Sequence, residues 1–352
     1  MRGKFRQLEG RRILEGTDSR ERLRYIVFDL EWNQSADGKA GEVDGLPFEI
    51  IEIGAVRLSE NLTPEGEFSR IIRPEVYKRL HFKVLEIMHV GMEELKKKGA
   101  PFPEVMREFL AWCREGEEDC EIRPVFCTWG SMDLTELQRN MAYYGMEDVF
   151  PYPLLYYDVQ KLYHLTEETR GKDRPPLDKA VEALGIRREH PFHRALDDAR
   201  YTGLVMQHMG FEPLKPYLSV DYYRLPKDSS EEIYLVFPEY SKYVSRSFPG
   251  KEEAMEDKTV TDLLCFRCGR LLRKKIRWFT SNQRYYYSLA CCPEHGHLRG
   301  KIRIKHQPDD SVYVIKTIKF VEEDAIKRLM EKKEEVLGKR RRRRRRKGSG
   351  RD

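Results

Sequence analysis

The sequence has no long hydrophobic run. A helix that spans a membrane needs about 20 consecutive apolar residues, and no stretch of this 352-residue chain approaches that length. The opening residues, Met1-Arg-Gly-Lys-Phe-Arg6, also lack the apolar segment of a secretory signal peptide. We therefore expect a cytoplasmic protein that makes no contact with a membrane.

Cysteine is sparse, with seven residues in the whole chain. Inside a cell these are expected to be thiols or metal ligands, because disulfides are rare in that compartment. The length allows two domains, and 40% hydrophobic with 35% charged residues indicates a folded protein with a polar surplus.

The net charge of +6 is unevenly distributed. Residues 261–338 carry 17 Lys and Arg against 10 Asp and Glu, and Lys339–Lys347 adds nine consecutive cations. Residues 1–260 are therefore net negative. An acidic front portion that could hold metal ions, joined to a basic rear portion, suits a protein that acts on nucleic acid.

The stretch Tyr25–Trp32, with sequence YIVFDLEW, predicts a buried strand that ends in two acids. Because side chains alternate along a strand, Asp29 and Glu31 point to the same face. Two adjacent carboxylates repel each other, and a hard divalent cation such as Mg²⁺ would relieve that repulsion. The alternative is a strand that simply ends in solvent, and these residues alone do not choose between the two.

Two later segments also place acids where a strand ends or a helix begins. Asp133 follows a short apolar strand and a Gly-Ser turn, although an Asp at that position is often only an N-cap. His193 stands before a helix whose first turns contain Asp197 and Asp198, and periodicity does not choose between these two acids. Glu52, within an apolar strand, is expected to be a hydrogen-bonded structural acid.

The remaining pattern predicts an α/β sheet with mixed strand direction. Residues 48–58 and 68–74 are predicted to form a hairpin beside the first strand, and residues 156–163 another strand. Amphipathic helices are predicted between them.

Three motifs resemble those of the DEDDh 3′–5′ exonucleases in order and context. They are Asp29-Leu-Glu31, Trp129-Gly-Ser-Met-Asp133 and His193-Arg-Ala-Leu-Asp-Asp198. The segment Glu49–Val56 also resembles the hairpin strand that follows the first motif in that family. The resemblance covers residues 25–210 and is strongest to Eri-type, KapD-like RNA-trimming exonucleases.

This resemblance implies a ribonuclease H-like fold with two Mg²⁺ or Mn²⁺ ions and His193 as the general base. The metal ligands that it implies are Asp29, Glu31, Asp133 and Asp198. The spacing of the family motif selects Asp198 over Asp197. Leu30 and Trp32 are expected to contact nucleic acid, although Trp32 departs from the small or hydroxyl residues that are frequent there.

Two metal-knuckle sequences follow in the rear portion, and they predict a zinc ribbon with one structural Zn²⁺. The predicted ligands are Cys265, Cys268, Cys292 and His295. Cys291 and His297 are alternative ligands. A cluster of reduced thiols in a small β-domain is the alternative to a metal site.

Between the knuckles, cations alternate with aromatic residues in a predicted hairpin. This pattern suits phosphate contact combined with base stacking on single strands, although some of the aromatics must form the core of a small sheet. The predicted nucleic-acid contacts are Arg273, Lys274, Lys275, Arg277, Trp278, Arg284 and Tyr286. The arginine run, with Arg340 and Arg343, is predicted to be disordered because its charges repel, and to raise nonspecific affinity for RNA or DNA.

These features predict an α/β, ribonuclease H-like mixed sheet flanked by helices, plus a small β-rich zinc-ribbon-like domain. The expected divisions are a basic arm (1–23), an exonuclease domain (24–212), a connector (213–260), a zinc-ribbon-like nucleic-acid-binding module (261–320), and a helix with an Arg-rich tail (321–352).

The predicted function is two-metal 3′–5′ hydrolysis of single-stranded nucleic acid, RNA rather than DNA. The RNA preference rests on the Eri-type resemblance. The alternatives are a DNA exonuclease of proofreading or repair, and a non-catalytic RNA-binding adaptor. The adaptor would have the ribosome or another ribonucleoprotein as its partner.

Overall fold

The structure is a computed structural model that describes residues 22–348, except 89, 116–121, 147–148, 167–173, 281 and 283. The predicted basic arm lies outside the described residues, apart from its last two, which begin the first strand. The chain divides into two compact units, whose described parts are residues 22–223 and 224–348. No helix in these parts is long and apolar enough to cross a bilayer.

The first unit contains a six-stranded sheet in the order β3-β2-β1-β4-β5-β6. Its strands are β1 (Arg22–Gln34), β2 (Phe48–Leu58), β3 (Pro64–Ile71), β4 (Ile122–Thr128), β5 (Leu155–Asp158) and β6 (Ser219–Val220). The strands β1, β4 and β5 are parallel, and the other pairings are antiparallel. The predicted mixed sheet is confirmed.

Helices flank this sheet on both faces. They are α1 (Phe82–Met88), α2 (Met92–Lys98), α3 (Phe102–Arg114), α4 (Met132–Tyr143), α5 (Val159–His164), α6 (Leu177–Ala183) and α7 (Ala195–His208).

The central strand β1 is buried on both faces, which explains its nearly continuous apolar sequence. Ile26 and Phe28 pack into the core that contains α3 and α4. Val27 packs into the core on the opposite face, which contains α6 and α7. Asp29 and Glu31 continue the alternation on the face of α7. The strand therefore aims both acids at the helix that carries the last motif.

The predicted strand over residues 156–163 is wrong in its second half. The strand β5 ends at Asp158, and α5 begins at the next residue. The Asp158 carboxylate accepts a hydrogen bond from the backbone N–H of Lys161 at 2.8 Å, so it acts as an N-cap. This cap allows the helix to start among residues that also suit a strand.

The second unit contains an antiparallel sheet in the order β7-β8-β12-β11-β10-β9. Its strands are β7 (Ile233–Val236), β8 (Tyr240–Val244), β9 (Lys274–Thr280), β10 (Tyr285–Cys292), β11 (Gly296–His306) and β12 (Val312–Phe320). Its helices are α8 (Lys251–Glu256), α9 (Lys258–Thr261) and α10 (Glu323–Gly348). The predicted second, β-rich region is therefore present as a larger sheet than expected.

The predicted connector, residues 213–260, is not a separate segment. The strand β6 pairs with β5 in the first sheet, whereas β7 and β8 form a hairpin that pairs with β12 in the second. Short strands of this kind gain stability only from their neighbours in a sheet, so their own sequence does not show which sheet they join.

The arginine run was predicted to be disordered, and the structure contradicts this. The helix α10 continues through Arg340–Arg346 to Gly348. Arginine is a good helix former, and a helix that has already begun at Glu323 extends at little further cost.

Candidate active site

Strand β1 places the first two acids of the site. Asp29 lies opposite Gly54 of β2, and Glu31 lies opposite Glu52. The pairing shifts by one residue immediately after Glu31. The extra residue is Ile51 of β2, and such an irregularity bends the strand that carries it. The two acids of β1 therefore stand immediately before the point where its partner strand bends.

Asp133 lies in the first turn of α4, directly after β4, and is only 6% exposed. Its carboxylate accepts a hydrogen bond from the backbone N–H of Leu30, the residue between the two acids of β1. Because β1 and β4 are parallel neighbours, the start of α4 is held beside the end of β1. This contact joins the second motif to the first.

His193 and Asp198 come from the start of α7. His193 has a left-handed backbone with a φ of 69°, which is uncommon for a residue other than glycine. Its backbone N–H donates to Oδ2 of Asp198 at 3.1 Å. The ligand atoms of Glu31, His193 and Asp198 all lie within 4.8 Å of one another. The structure thus brings all three motifs to one place.

Burial raises the pKa of each of the four carboxyl groups. The pKa of Glu31 is raised to about 8, that of Asp133 to about 7 and that of Asp198 to about 6. The pKa of Asp29 is raised well above its ordinary value by desolvation and by repulsion from Asp133 and Asp198. Without a cation, this cluster would hold protons near neutral pH.

The donor set fits divalent metal ions. Oδ1 of Asp198 is buried and meets no hydrogen-bond partner within the described residues. A buried carboxylate oxygen left in this way is costly unless a cation or a donor satisfies it. Carboxylate oxygens are the ligands that Mg²⁺ and Mn²⁺ prefer.

Asp197 lies next to Asp198 and points elsewhere. Its carboxylate accepts a hydrogen bond from Arg200 at 2.7 Å and lies 3.8 Å from Nδ1 of His190. Asp198 is the acid that faces Glu31 and His193. The position of the two side chains agrees with the choice implied by the family spacing.

Two features that support the site carried little sequence signal. Arg194 donates from Nε to both carboxylate oxygens of the buried Glu52, at 3.2 and 3.1 Å, and so ties the residue after His193 to β2. Gly54 leaves room for the start of α7, because a Cβ atom there would lie 2.0 Å from the backbone nitrogen of Leu196. The structural role expected for Glu52 agrees with this contact.

The predicted nucleic-acid contacts beside the first motif differ from each other. The side chain of Leu30 is 3% exposed and packs in the core, so the structure contradicts a contact through it. Trp32 is half-buried and packs 5.7 Å from the Phe48 ring, measured between ring centroids. Alternation along β1 turns both side chains away from Asp29 and Glu31, and Trp32 packs against the same core as Leu30.

A second cluster lies in the other unit and consists of the four predicted zinc ligands. Nδ1 of His295 lies 3.6 Å from Sγ of Cys265 and 3.6 Å from Sγ of Cys292. Sγ of Cys268 lies 3.7 Å from Sγ of Cys292. A tetrahedral zinc with Zn–S of about 2.3 Å and Zn–N of about 2.05 Å requires separations of about 3.8 Å between sulfurs and about 3.6 Å between sulfur and nitrogen. The observed distances match this geometry.

The alternative ligands lie outside that cluster. Sγ of Cys291 contacts the carbonyl oxygen of Cys292 at 3.7 Å, and Nε2 of His297 lies 2.9 Å from Nζ of Lys275. Cys291 and His297 are paired across β10 and β11. Successive side chains of a strand point to opposite faces, so Cys291 faces away from the side that Cys292 occupies.

The predicted nucleic-acid contacts in β9 and β10 divide into core and surface residues. Trp278 donates from Nε1 to the carbonyl of Thr261 at 2.7 Å, and both Trp278 and Tyr286 pack on the core beneath the sheet. These contacts agree with the alternative in which some of the aromatics form the core of a small sheet. Lys274 pairs with Asp262 at 3.4 Å. The exposed members are Arg273, Lys275, Arg277 and Arg284. The side chains of Arg340 and Arg343 lie outside what the structure describes.

The family can now be assigned. The sequence model described as Exonuclease (RNase_T) matches residues 26–206, just over half of the chain, and this range contains all three motifs. The chain belongs to this exonuclease family, and the protein is a nuclease. The predicted family membership and the ribonuclease H-like mixed sheet are therefore confirmed. No curated protein sequence matches the chain significantly.

Several solved structures are similar to this chain at low sequence identity. The nuclease domain of 3′hExo, described as a DEDDh family member bound to rAMP, is 18% identical with a TM-score of 0.47, covering 59% of this chain and 99% of that one. The cell-death related nuclease CRN-4 is 16% identical with a TM-score of 0.45, covering 56% and 66%. Exonuclease I is 10% identical with a TM-score of 0.44, covering 77% and 55%. The family assignment rests on the sequence model and not on these superpositions.

Proposed function

We propose that the protein is a metal-dependent 3′–5′ exonuclease that acts on single-stranded nucleic acid. The observation that carries this proposal is the convergence of three chain segments on one cluster. Its members are Asp29, Glu31, Asp133, His193 and Asp198. A family relationship alone would not require an intact site, and the proximity of these five side chains supports one here.

The four carboxylates would hold two Mg²⁺ or Mn²⁺ ions. When bound, such a pair stabilises the attacking and leaving oxygens of an in-line displacement at phosphorus. The raised pKa values of Glu31, Asp133 and Asp198 support this role. Ionised carboxylates held this close together and out of water are unfavourable, and bound cations would offset that cost.

His193 would act as the general base. Its side chain is exposed, and its backbone is fixed by the hydrogen bond to Asp198. An imidazole in this position can take a proton from the attacking water and release it to solvent. The Arg194–Glu52 ion pair, one residue away, restrains the same loop and so helps to keep the imidazole beside Glu31.

The preference for RNA over DNA comes from the Eri-type resemblance. None of the site residues described above identifies a 2′-hydroxyl partner, so the sugar preference must be decided by experiment. The same experiment tests the polarity of cleavage.

The test is a gel assay with 5′-labelled single-stranded RNA and DNA oligomers, with Mg²⁺ or EDTA. Wild type is expected to give a ladder that shortens from the 3′ end, and EDTA, Asp29→Asn and Asp198→Asn are expected to abolish it. Asp197→Asn is the matched control, because it makes the same change one residue away from the cluster. Substrate that is retarded but intact in every lane would overturn the proposal and favour the binding adaptor.

We also propose that the second unit binds one structural Zn²⁺ through Cys265, Cys268, Cys292 and His295. The tetrahedral separations support this proposal. Elemental analysis should find one zinc per chain, lost in Cys265→Ser and kept in Cys291→Ser, which removes a neighbouring thiol outside the cluster. Equal zinc in both variants, or none in wild type, would contradict it.

A further inference from the structure

One face of the second sheet carries a row of cations along β11. Alternate residues of this strand, Leu298, Ile302 and Ile304, are buried in the core. The residues between them point to the opposite face and are half-exposed, and they are Arg299, Lys301, Arg303 and Lys305. A strand rises about 3.4 Å per residue, so neighbouring cations in this row are about 7 Å apart.

An aromatic ring stands at the centre of this row. Tyr285 of β10 lies opposite Arg303. Its ring centroid is 4.8 Å from Nζ of Lys301 and 5.9 Å from the guanidinium carbons of both Arg284 and Arg303. We call Arg284, Tyr285, Arg299, Lys301, Arg303 and Lys305 the β11 cation surface.

The β11 cation surface has no internal counter-charge. Within the described parts of the chain, none of its five cations makes an ion pair, in contrast to Arg246 and Arg270 of the same unit. The Nε atoms of Arg299 and Arg303 are buried and meet no acceptor there. Desolvation, together with repulsion from Arg303 and Arg284, lowers the pKa of Lys305. Clustering like charges in this way is unfavourable unless an anion binds.

The helix α10 borders the same surface. Leu289 and Tyr287 of β10 share the face of Arg299 and Lys301, and Leu289 packs against Leu329 of α10. Nζ of Lys332 lies 4.0 Å from the centroid of the Tyr287 ring. A second cation–aromatic pair therefore stands beside the first.

We propose that the β11 cation surface binds single-stranded nucleic acid as a site separate from the nuclease motifs. Unpaired cations at regular intervals suit a phosphate chain, and half-exposed rings among them suit stacked bases. The predicted contacts Trp278 and Lys274 of β9 are not part of this surface. Trp278 packs on the core, and Lys274 forms an ion pair with Asp262. Binding there needs no metal at the nuclease site.

The test measures fluorescence anisotropy of a labelled single-stranded 20-mer in EDTA, with Asp29→Asn as the parent so that no cleavage occurs. The variant adds Lys301→Gln, Arg303→Gln and Lys305→Gln. The matched control makes the same charge change elsewhere in the unit, with Lys227→Gln, Lys251→Gln and Lys258→Gln. The packing of α8 and α9 against Ile302 and Ile304 places Lys251 and Lys258 away from the row. Lys227 precedes β7, which is the edge strand of the sheet and is separated from β11 by β8 and β12.

The surface variant is expected to bind at least tenfold more weakly at moderate salt. Loss of three phosphate contacts should also reduce the slope of log K against log salt by about 2. The control should keep the affinity and slope of the parent. Melting temperature and zinc content confirm that each variant is folded.

Affinity and salt slope that match the control would overturn the proposal. So would binding of anionic phospholipid vesicles with no binding of the 20-mer, because the occupant would then be a different class of molecule. A failed nuclease proposal leaves this result unaffected, since binding is measured without metal or turnover. Tyr285→Ala and Tyr285→Phe separate stacking from charge, and only the first is expected to weaken binding.

Discussion

Replacement of Gly54 by alanine tests whether close packing of α7 on β2 positions the site. Gly54 lies opposite Asp29 in the sheet, and the start of α7 crosses it. A Cβ atom at residue 54 would lie 2.0 Å from the backbone nitrogen of Leu196 and 2.2 Å from the carbonyl carbon of Ala195. Both of these atoms belong to the backbone of α7, so rotation of a side chain cannot relieve the overlap.

The shortest contact must lengthen from 2.0 Å to the 3.4 Å at which ordinary contact begins, so the helix must move by about 1.4 Å. Overpacking of this kind costs about 1–3 kcal/mol, which should lower the melting temperature of the first unit by several degrees. Asp198 lies two residues beyond the point of contact, in the same turn. A displacement of about 1 Å at a catalytic group can cost on the order of 100-fold in rate.

The assay compares initial rates on a short oligomer, Mg²⁺ affinity and melting temperature for Gly54→Ala and wild type. The matched control is Gly203→Ala in the same helix, where a Cβ would lie 3.4 Å from Cγ2 of Val56, an ordinary contact. Alanine is favoured over glycine inside a helix by about 1 kcal/mol, so the control should be as active and at least as stable. If Gly54→Ala kept full activity and stability, close packing at this point could not be what positions Asp198.

The remaining predictions concern charge, the loop and the metal sites. The pKa of Glu31, about 8, and that of Asp133, about 7, lie above ordinary carboxyl values in the metal-free protein. The folded state then binds more protons than the unfolded chain, so its stability in EDTA should fall as pH rises from about 5 to 8; thermal scans should show a shallower fall for Asp29→Asn. For the same reason Mg²⁺ affinity, measured by calorimetry, should increase from pH 6 to pH 8, and a flat profile would argue against proton displacement. Arg194→Gln should lower the rate about tenfold with little change in Mg²⁺ affinity, whereas Arg200→Gln, which removes a peripheral pairing, should stay near wild type. Removal of zinc by a strong chelator should lower the melting temperature of the second unit while leaving that of the first unchanged.

Much of the first unit follows from local sequence. Alternation along β1 predicts that Asp29 and Glu31 share a face, and the structure has this arrangement because the strand is buried on both sides. The β2–β3 hairpin and the amphipathic helices were recognisable for the same reason. The predicted strand beyond Asp158 failed because residues 159–163 suit either structure, and the N-cap decides between them.

Other features depend on contacts between distant residues. Periodicity could not choose between Asp197 and Asp198, because both lie in the first turn of α7. The choice follows from which side chain faces β1, and that depends on how closely the helix packs on Gly54. In the same way, the short sequences of β7 and β8 do not show that these strands join β12 in the second sheet.

The sequence by itself determined which residues can carry the chemistry: the acids and histidine of three motifs, and four metal ligands in two knuckles. These are local patterns of residue type and spacing, and they need no knowledge of the rest of the chain. Only the tertiary structure decided which faces these residues occupy together. It packed Trp278 and Tyr286 against the core, turned the cations of β11 to one side, and brought Asp198 to Glu31, because burial and strand pairing depend on residues far apart in the chain.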